Sequence, residues 1–115
     1  MPSLRLEKVN ELLKTEVGSI ILRELEMPHG VLPTITRVES EADLKTAKIF
    51  FRAYPEDHGL GVRDYLRKHA GVIQHALNRR LAMRFVPQIS FYIDAKKDNP
   101  DDMNDVEKIL DSLQE

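Results

Sequence analysis

The 115-residue sequence contains no cysteine and no tryptophan. Without cysteine there is no disulfide scaffold, no thiolate nucleophile and no Cys-ligated zinc. That absence fits a reducing compartment without fixing one. No apolar run approaches the roughly 20 residues that a spanning helix needs. The opening Met1-Pro2-Ser3-Leu4-Arg5 lacks the basic patch and apolar stretch of a signal peptide. The expectation is a cytoplasmic monomer. Glycine is sparse at five. The sequence has no G-x-x-x-x-G-K-[ST] and no G-x-G-x-x-G, and Gly59-Leu60-Gly61 is too little for a phosphate cradle. Ser3, Ser19, Ser40, Ser90 and Ser112 all lie outside a G-x-S-x-G elbow.

The remaining polar chemistry is equally thin. His29, His58, His69 and His75 include no pair at the i, i+4 spacing of a helical metal site. Asn99, Asp101 and Asp102 lack the glycine and the terminal glutamate of a calcium loop. No acid, base, nucleophile or metal set converges, so the expectation is a protein that is not an enzyme and takes no cofactor and no metal.

What the sequence does have is 42% hydrophobic and 31% charged residues in a one-domain length, an ordinary globular composition. The net charge of −2 hides an asymmetry. Residues 98–115 carry seven acids against Lys108, a net −6, which leaves +4 on residues 1–97. Within the body, residues 63–84 hold Arg63, Arg67, Lys68, Arg79, Arg80 and Arg84 against Asp64 alone. A basic block on helical segments is the footprint of a phosphate-binding surface; it is equally the look of a solvated helix face. The boundary expected from this pattern is a body over 1–97 and an acidic extension over 98–115.

Hydrophobic spacing predicts the elements. Leu6, Val9, Leu13, Val17, Ile20 and Ile21 recur at threes and fours, which predicts a helix over 4–26 capped by Ser3 and ended by Pro28 and Gly30. Val31 to Val38 is mostly β-branched and predicts a strand over 31–40. Residues 45–54 alternate, with Ala47, Ile49, Phe51 and Ala53 on one face and Lys48, Phe50, Arg52 and Tyr54 on the other. The short Glu41-Ala42-Asp43 connection implies an antiparallel hairpin. Helical patterns follow at 62–70 and 71–85, with a bend at Gly71 and a stop at Pro87. Ile89, Phe91 and Ile93 alternate in a last strand over 88–94, and Val106, Ile109, Leu110 and Leu113 predict a helix over 103–113. The order α-β-β-α-(kink)-α-β with an extra C-terminal helix is an α+β, two-layer domain with a three-stranded sheet.

Two clusters are candidates for binding. On a helix running to 85, Arg80 and Arg84 share one side and Arg79 is adjacent. Guanidiniums so crowded call for an anion, met either by phosphate or by acids of the first helix or tail. On the second strand, Lys48, Phe50, Arg52 and Tyr54 interleave base and aromatic, which suits a nucleic-acid track or a sheet face covered by the last helix.

Three stretches, in order, resemble the ribosome-binding factor A family. Arg5-Leu6-Glu7-Lys8-Val9 resembles its opening basic helix, with Lys8 where a second arginine is common. Asp43-Leu44-Lys45-Thr46-Ala47-Lys48-Ile49-Phe50 resembles its D-L-x-x-A-K-V-Y stretch. Residues Arg84 to Asp94 resemble its R-x-x-P-x-L-x-F-x-x-D stretch. The resemblance implies a type II KH-like fold whose usual GXXG loop is replaced by a helix bend. The family commonly writes that bend A-x-G, and here it is His69-Ala70-Gly71.

The resemblance further implies a factor that binds the immature 30S subunit and 16S rRNA. It would assist late maturation, including 5′-end processing of 16S rRNA, and support growth in the cold. The residues expected to meet phosphate are Arg79, Arg80, Arg84, Arg67 and Lys68, extended by Arg5, Lys8, Lys45 and Lys48. An alternative from another class is a protein–protein adaptor that uses the sheet face and the acidic helix without RNA. Independently of that choice, the acidic extension would either fold over the basic helices and weaken non-specific RNA binding, or cap the sheet face and keep it dry.

Overall fold

A computed structural model of the chain describes residues 3–94. The helix expected over 103–113, and with it the acidic extension, lies outside the described residues. Ser3 opens the first helix as its side chain permits: its Oγ accepts from the Leu6 N–H at 3.0 Å. Helix α1 spans Leu4–Glu24 and buries Leu13, Val17, Ile20 and Ile21 along one stripe. It ends two residues short of the expected 26, where Leu25 turns extended. Gly30, at φ +83°, takes the left-handed turn into the sheet that only glycine adopts without strain.

Strands β1 (Leu32–Ser40) and β2 (Thr46–Tyr54) form the expected antiparallel hairpin. In its turn the Leu44 N–H donates to the Glu41 carbonyl at 2.8 Å, and the Asp43 carboxylate accepts from the Lys45 N–H at 3.0 Å. Leu44 occupies the left-handed region at φ 59°. Alternation along β2 sends Ala47, Ile49, Phe51 and Ala53 into the core and Lys48, Phe50, Arg52 and Tyr54 to the opposite face. The register of β1 jumps between Ile35 and Arg37. This bulge makes Thr36 an extra residue and turns both Thr36 and Arg37 toward the face that no described helix covers.

After a 3-10 turn at Glu56–His58, α2 (Gly59–Lys68) and α3 (Ala70–Arg80) carry the chain across the sheet. They supply the long connection that a parallel pairing requires. Strand β3 (Gln88–Ile93) returns parallel to β2, in the order β1-β2-β3. The free side of β3 meets side chains. Gln74 of α3 donates to the Pro87 carbonyl at 3.1 Å and accepts from the Ile89 N–H at 2.8 Å. Arg67 of α2 donates to the Phe91 carbonyl at 3.1 and 2.8 Å. One core cluster joins the layers, centred on Phe51, Phe91, Leu13, Ile20, Ile49, Leu66, Ile73 and Leu77. No polar or charged residue is buried among the described residues. None of the described helices is long and apolar enough to cross a membrane.

Boundaries of α2 and α3 also differ from the periodicity. Helix α2 begins at Gly59, three residues early. Helix α3 stops at Arg80, not at 85, because Leu81 turns extended (φ −92°, ψ 134°) to bury its side chain. Gln74 then draws residues 87–89 back against α3. The interruption between the helices falls on His69 (φ −101°, ψ 13°), two residues before the glycine expected to bend the chain. Gly71 sits inside α3, and a Cβ there would meet nothing within 4 Å.

Candidate nucleic-acid interface

The basic side chains divide between two places. The first is the hairpin end of the sheet. Asn10, in the second turn of α1, accepts from the Ser40 backbone N–H at 3.1 Å and from its hydroxyl at 2.6 Å, which ties the start of α1 to the end of β1. The Gln88 N–H donates to the Lys45 carbonyl at 2.9 Å, so the α3–β3 connector reaches the same turn. Arg5 and Lys8 on α1, Lys45 in the turn and Arg84 in the connector therefore sit on elements that converge, and all four are exposed. Arg79 and Arg80, the last residues of α3, lead into that connector.

Their electrostatic states are unequal. Arg80 Nε lies 2.7 Å from a Glu16 carboxylate oxygen, so the first helix supplies the local acid that competes with phosphate there. The Arg84 guanidinium carbon lies 5.5 Å from the centroid of the Phe85 ring, itself 75% exposed. Arg5, Lys8, Lys45, Arg79 and Arg84 have no carboxylate partner among the described residues. The expectation that Arg80 and Arg84 share one side of a helix is overturned: the helix ends between them. Arg67 and Lys68 lie apart from this end, late in α2. Arg67 is held against β3 by the Phe91 carbonyl, and Lys68 is exposed. At the helix break, His69 is half-buried with its ring 4.4 Å from that of Tyr65. Among the described residues no three acidic or histidine side chains gather to hold a metal.

The second place is the sheet face that no described helix covers. Phe50 and Tyr92 are cross-strand neighbours with ring centroids 5.7 Å apart. The Arg37 guanidinium stacks on Phe50 at 3.8 Å, and Lys48 Nζ and the Arg67 guanidinium each lie 5.5 Å from the Tyr92 centroid. Asp94 anchors the edge of this cluster: Thr36 Oγ1 and Arg37 both donate to its carboxylate. Burial pushes the Asp94 carboxyl up, but the bonds from Thr36 and Arg37 and the charges of Arg37 and Arg52 outweigh it and hold it below the usual carboxylate range. Burial works against the Arg37 charge too, and Glu39 and Asp94 more than offset it, leaving its pKa raised. The Arg52 Nε–H is buried with no acceptor among the described residues.

Sequence reasoning placed Lys48, Phe50 and Arg52 on this face by alternation but missed Arg37, Thr36 and the anchoring role of Asp94. The bulge that turns Thr36 and Arg37 together has no signature in a β-branched run. The pairing of Arg67 with a strand carbonyl was likewise hidden, since it spans 24 residues.

The family model described as ribosome-binding factor A matches residues 5–110, nearly the whole chain. The chain belongs to the ribosome-binding factor A family. A ribosome-binding factor A of Akkermansia muciniphila is 37% identical over 92 residues, covering 80% of this chain and 73% of that protein. One of Syntrophobacter fumaroxidans is 31% identical over 112 residues, covering 95% and 93%. The crystal structure of ribosome-binding factor A from Thermus thermophilus superposes with a TM-score of 0.67 at 25% identity, covering 76% of this chain and 93% of that one. A homology model of the Thermus thermophilus factor, fitted into a cryo-EM map of its complex with the 30S subunit, superposes with a TM-score of 0.63 at 26% identity, covering 72% and 88%. The fold is thus the KH-like fold of this family, with a mixed three-stranded sheet under three helices. Of the family-like motif residues, Asp43 and Ala47 build structure: Asp43 closes the hairpin turn, and Ala47 is 1% exposed beneath the helices. Lys48 and Arg84 stand exposed on separate surfaces.

Proposed function

We propose that this chain is a cytoplasmic, monomeric assembly factor that binds the immature 30S subunit through 16S rRNA and assists late maturation, including 5′-end processing and growth in the cold. The observation that carries the reading is membership of a family with a Thermus member fitted in a 30S complex. The site favoured by the geometry is the hairpin end, on whose converging elements Arg5, Lys8, Lys45 and Arg84 stand exposed, with Arg79 leading into the connector, all without carboxylate partners among the described residues. Arg80 contributes after release from Glu16, and Lys68 and Lys48 extend the footprint. Guanidinium and ammonium groups there neutralise phosphates, and folded rRNA is read by shape rather than by base edges. The break at His69 sets the angle at which α3 delivers Arg79 and Arg80.

Sucrose-gradient sedimentation tests the proposal. The protein should travel with free 30S particles and leave 70S ribosomes untouched. Absence from the 30S fraction at low salt would overturn the ribosome reading. Binding to protein-free 16S rRNA separates RNA contact from an adaptor role.

A further inference from the structure

The rRNA reading places most of its contacts at the hairpin end and takes only Lys48 from the sheet face that no described helix covers. We propose that this face is a second RNA-contacting surface, one that takes single-stranded nucleotides by stacking, with Tyr92 as the platform; the inference rests on the rRNA reading for its partner class.

Three observations carry it. First, Phe50 and Tyr92 stand side by side on β2 and β3 with centroids 5.7 Å apart and planes tilted by 33°, both half-buried. A base laid on Tyr92, beside the Phe50 ring that Arg37 already covers, stacks on a ring fixed by the sheet, so little side-chain entropy is lost. Second, the pair is ringed by cations: Arg37 at 3.8 Å from the Phe50 centroid, with Lys48 and Arg67 each 5.5 Å from that of Tyr92. Arg37 is matched by Asp94 and Glu39. Arg67 bonds only a neutral carbonyl, and Lys48 has no carboxylate partner among the described residues, so their charges stay available to a polyanion. Third, the Arg37 guanidinium stacked on Phe50 presents a flat cationic surface that itself accepts a base. Interleaved aromatics and cations on an open sheet are the elements that bind a single strand without sequence preference. A duplex hides the flat faces of its bases and has nothing to offer Tyr92.

The test uses the full chain and fluorescence anisotropy. The probes are a ten-nucleotide oligoadenylate and a ten-base-pair RNA duplex. Tyr92→Leu keeps an apolar side chain on the sheet and removes the stacking surface. It should weaken oligoadenylate binding by about fivefold or more, the lower end of what one stacked base contributes, while duplex binding stays the same. Tyr92→Phe keeps the ring and should bind both probes as the unaltered chain does, and thermal melts confirm that each variant is folded. Equal losses on both probes, or no loss on either, would overturn the proposal. So would oligoadenylate binding that appears only after residues 98–115 are deleted, since that result assigns the face to the acidic segment. Failure of 30S co-sedimentation with oligoadenylate binding intact would sink the ribosome reading and leave the stacking surface standing.

Discussion

Charge reversal at the hairpin end makes the most direct test of the rRNA contact. Five cations there, Arg5, Lys8, Lys45, Arg79 and Arg84, lack a carboxylate partner among the described residues. Each can release a condensed counterion on meeting a phosphate. If all five do, log K against log salt should fall with a slope of about −3.5 to −4.5. Raising salt from about 50 to about 200 mM then costs roughly 100- to 500-fold in affinity. In Arg79→Glu/Arg84→Glu three contacts remain, and the slope should shrink to about −2.1 to −2.7. Both side chains are exposed and outside ion pairs among the described residues, so the double variant should unfold within about 0.5 kcal/mol of the parent. Anisotropy on protein-free 16S rRNA across a salt series reads the slopes, and sedimentation with 30S particles reads the consequence. Parallel lines of equal slope for parent and variant would refute the placement of these residues at the phosphates, whatever the absolute affinity.

Asp94→Asn should destabilise the fold by about 1–3 kcal/mol in urea at neutral pH, because Arg37 and Thr36 lose a charged acceptor that is 8% exposed. The Asp94 carboxyl is held below its ordinary value, so this stabilisation is present above the unfolded pKa and is lost as pH falls through the folded one. The gap between parent and variant should therefore close in acid. Phe91→Ala empties a fully buried site between sheet and helices and should cost about 3–5 kcal/mol by the same urea titration. Gly71→Ala should raise stability by about 0.5–1 kcal/mol in thermal melts, since the added Cβ meets nothing and the position is helical.

Periodicity carried the hairpin and most of α1 because each buries one face: Ala47, Ile49 and Phe51 alternate inward, and Leu13, Val17 and Ile20 keep helical spacing. The end of α3 was illegible. Leu81 to Val86 contains no glycine, proline or capping residue, so nothing local distinguishes helix from connector. What ends the helix is tertiary: burial of Leu81, and Gln74 grasping Pro87 and Ile89. The early stop at Arg80 takes Arg84 off the helix and changes the site from a helical stripe to a set of loops and helix ends. Gly71 misled for the opposite reason. A glycine reads as a bend, yet the break fell on His69, whose backbone alone leaves helical geometry. The Asp94 cluster depends on a bulge in β1 and on the parallel pairing of β3 with β2 across the intervening helices, neither of which a linear pattern encodes.

The side chains along β3 have a consequence for self-association. Pro87, Ile89 and Phe91 turn their outward backbone groups toward Gln74 and Arg67, which occupy them as an adjoining polypeptide would. An amide and a guanidinium thus serve as a partial surrogate for a fourth strand, and an incoming copy finds the Pro87 and Phe91 carbonyls and the Ile89 N–H of that border already taken. Recruitment of foreign strands is left to β1, where Pro33 removes one of the donors such pairing would need.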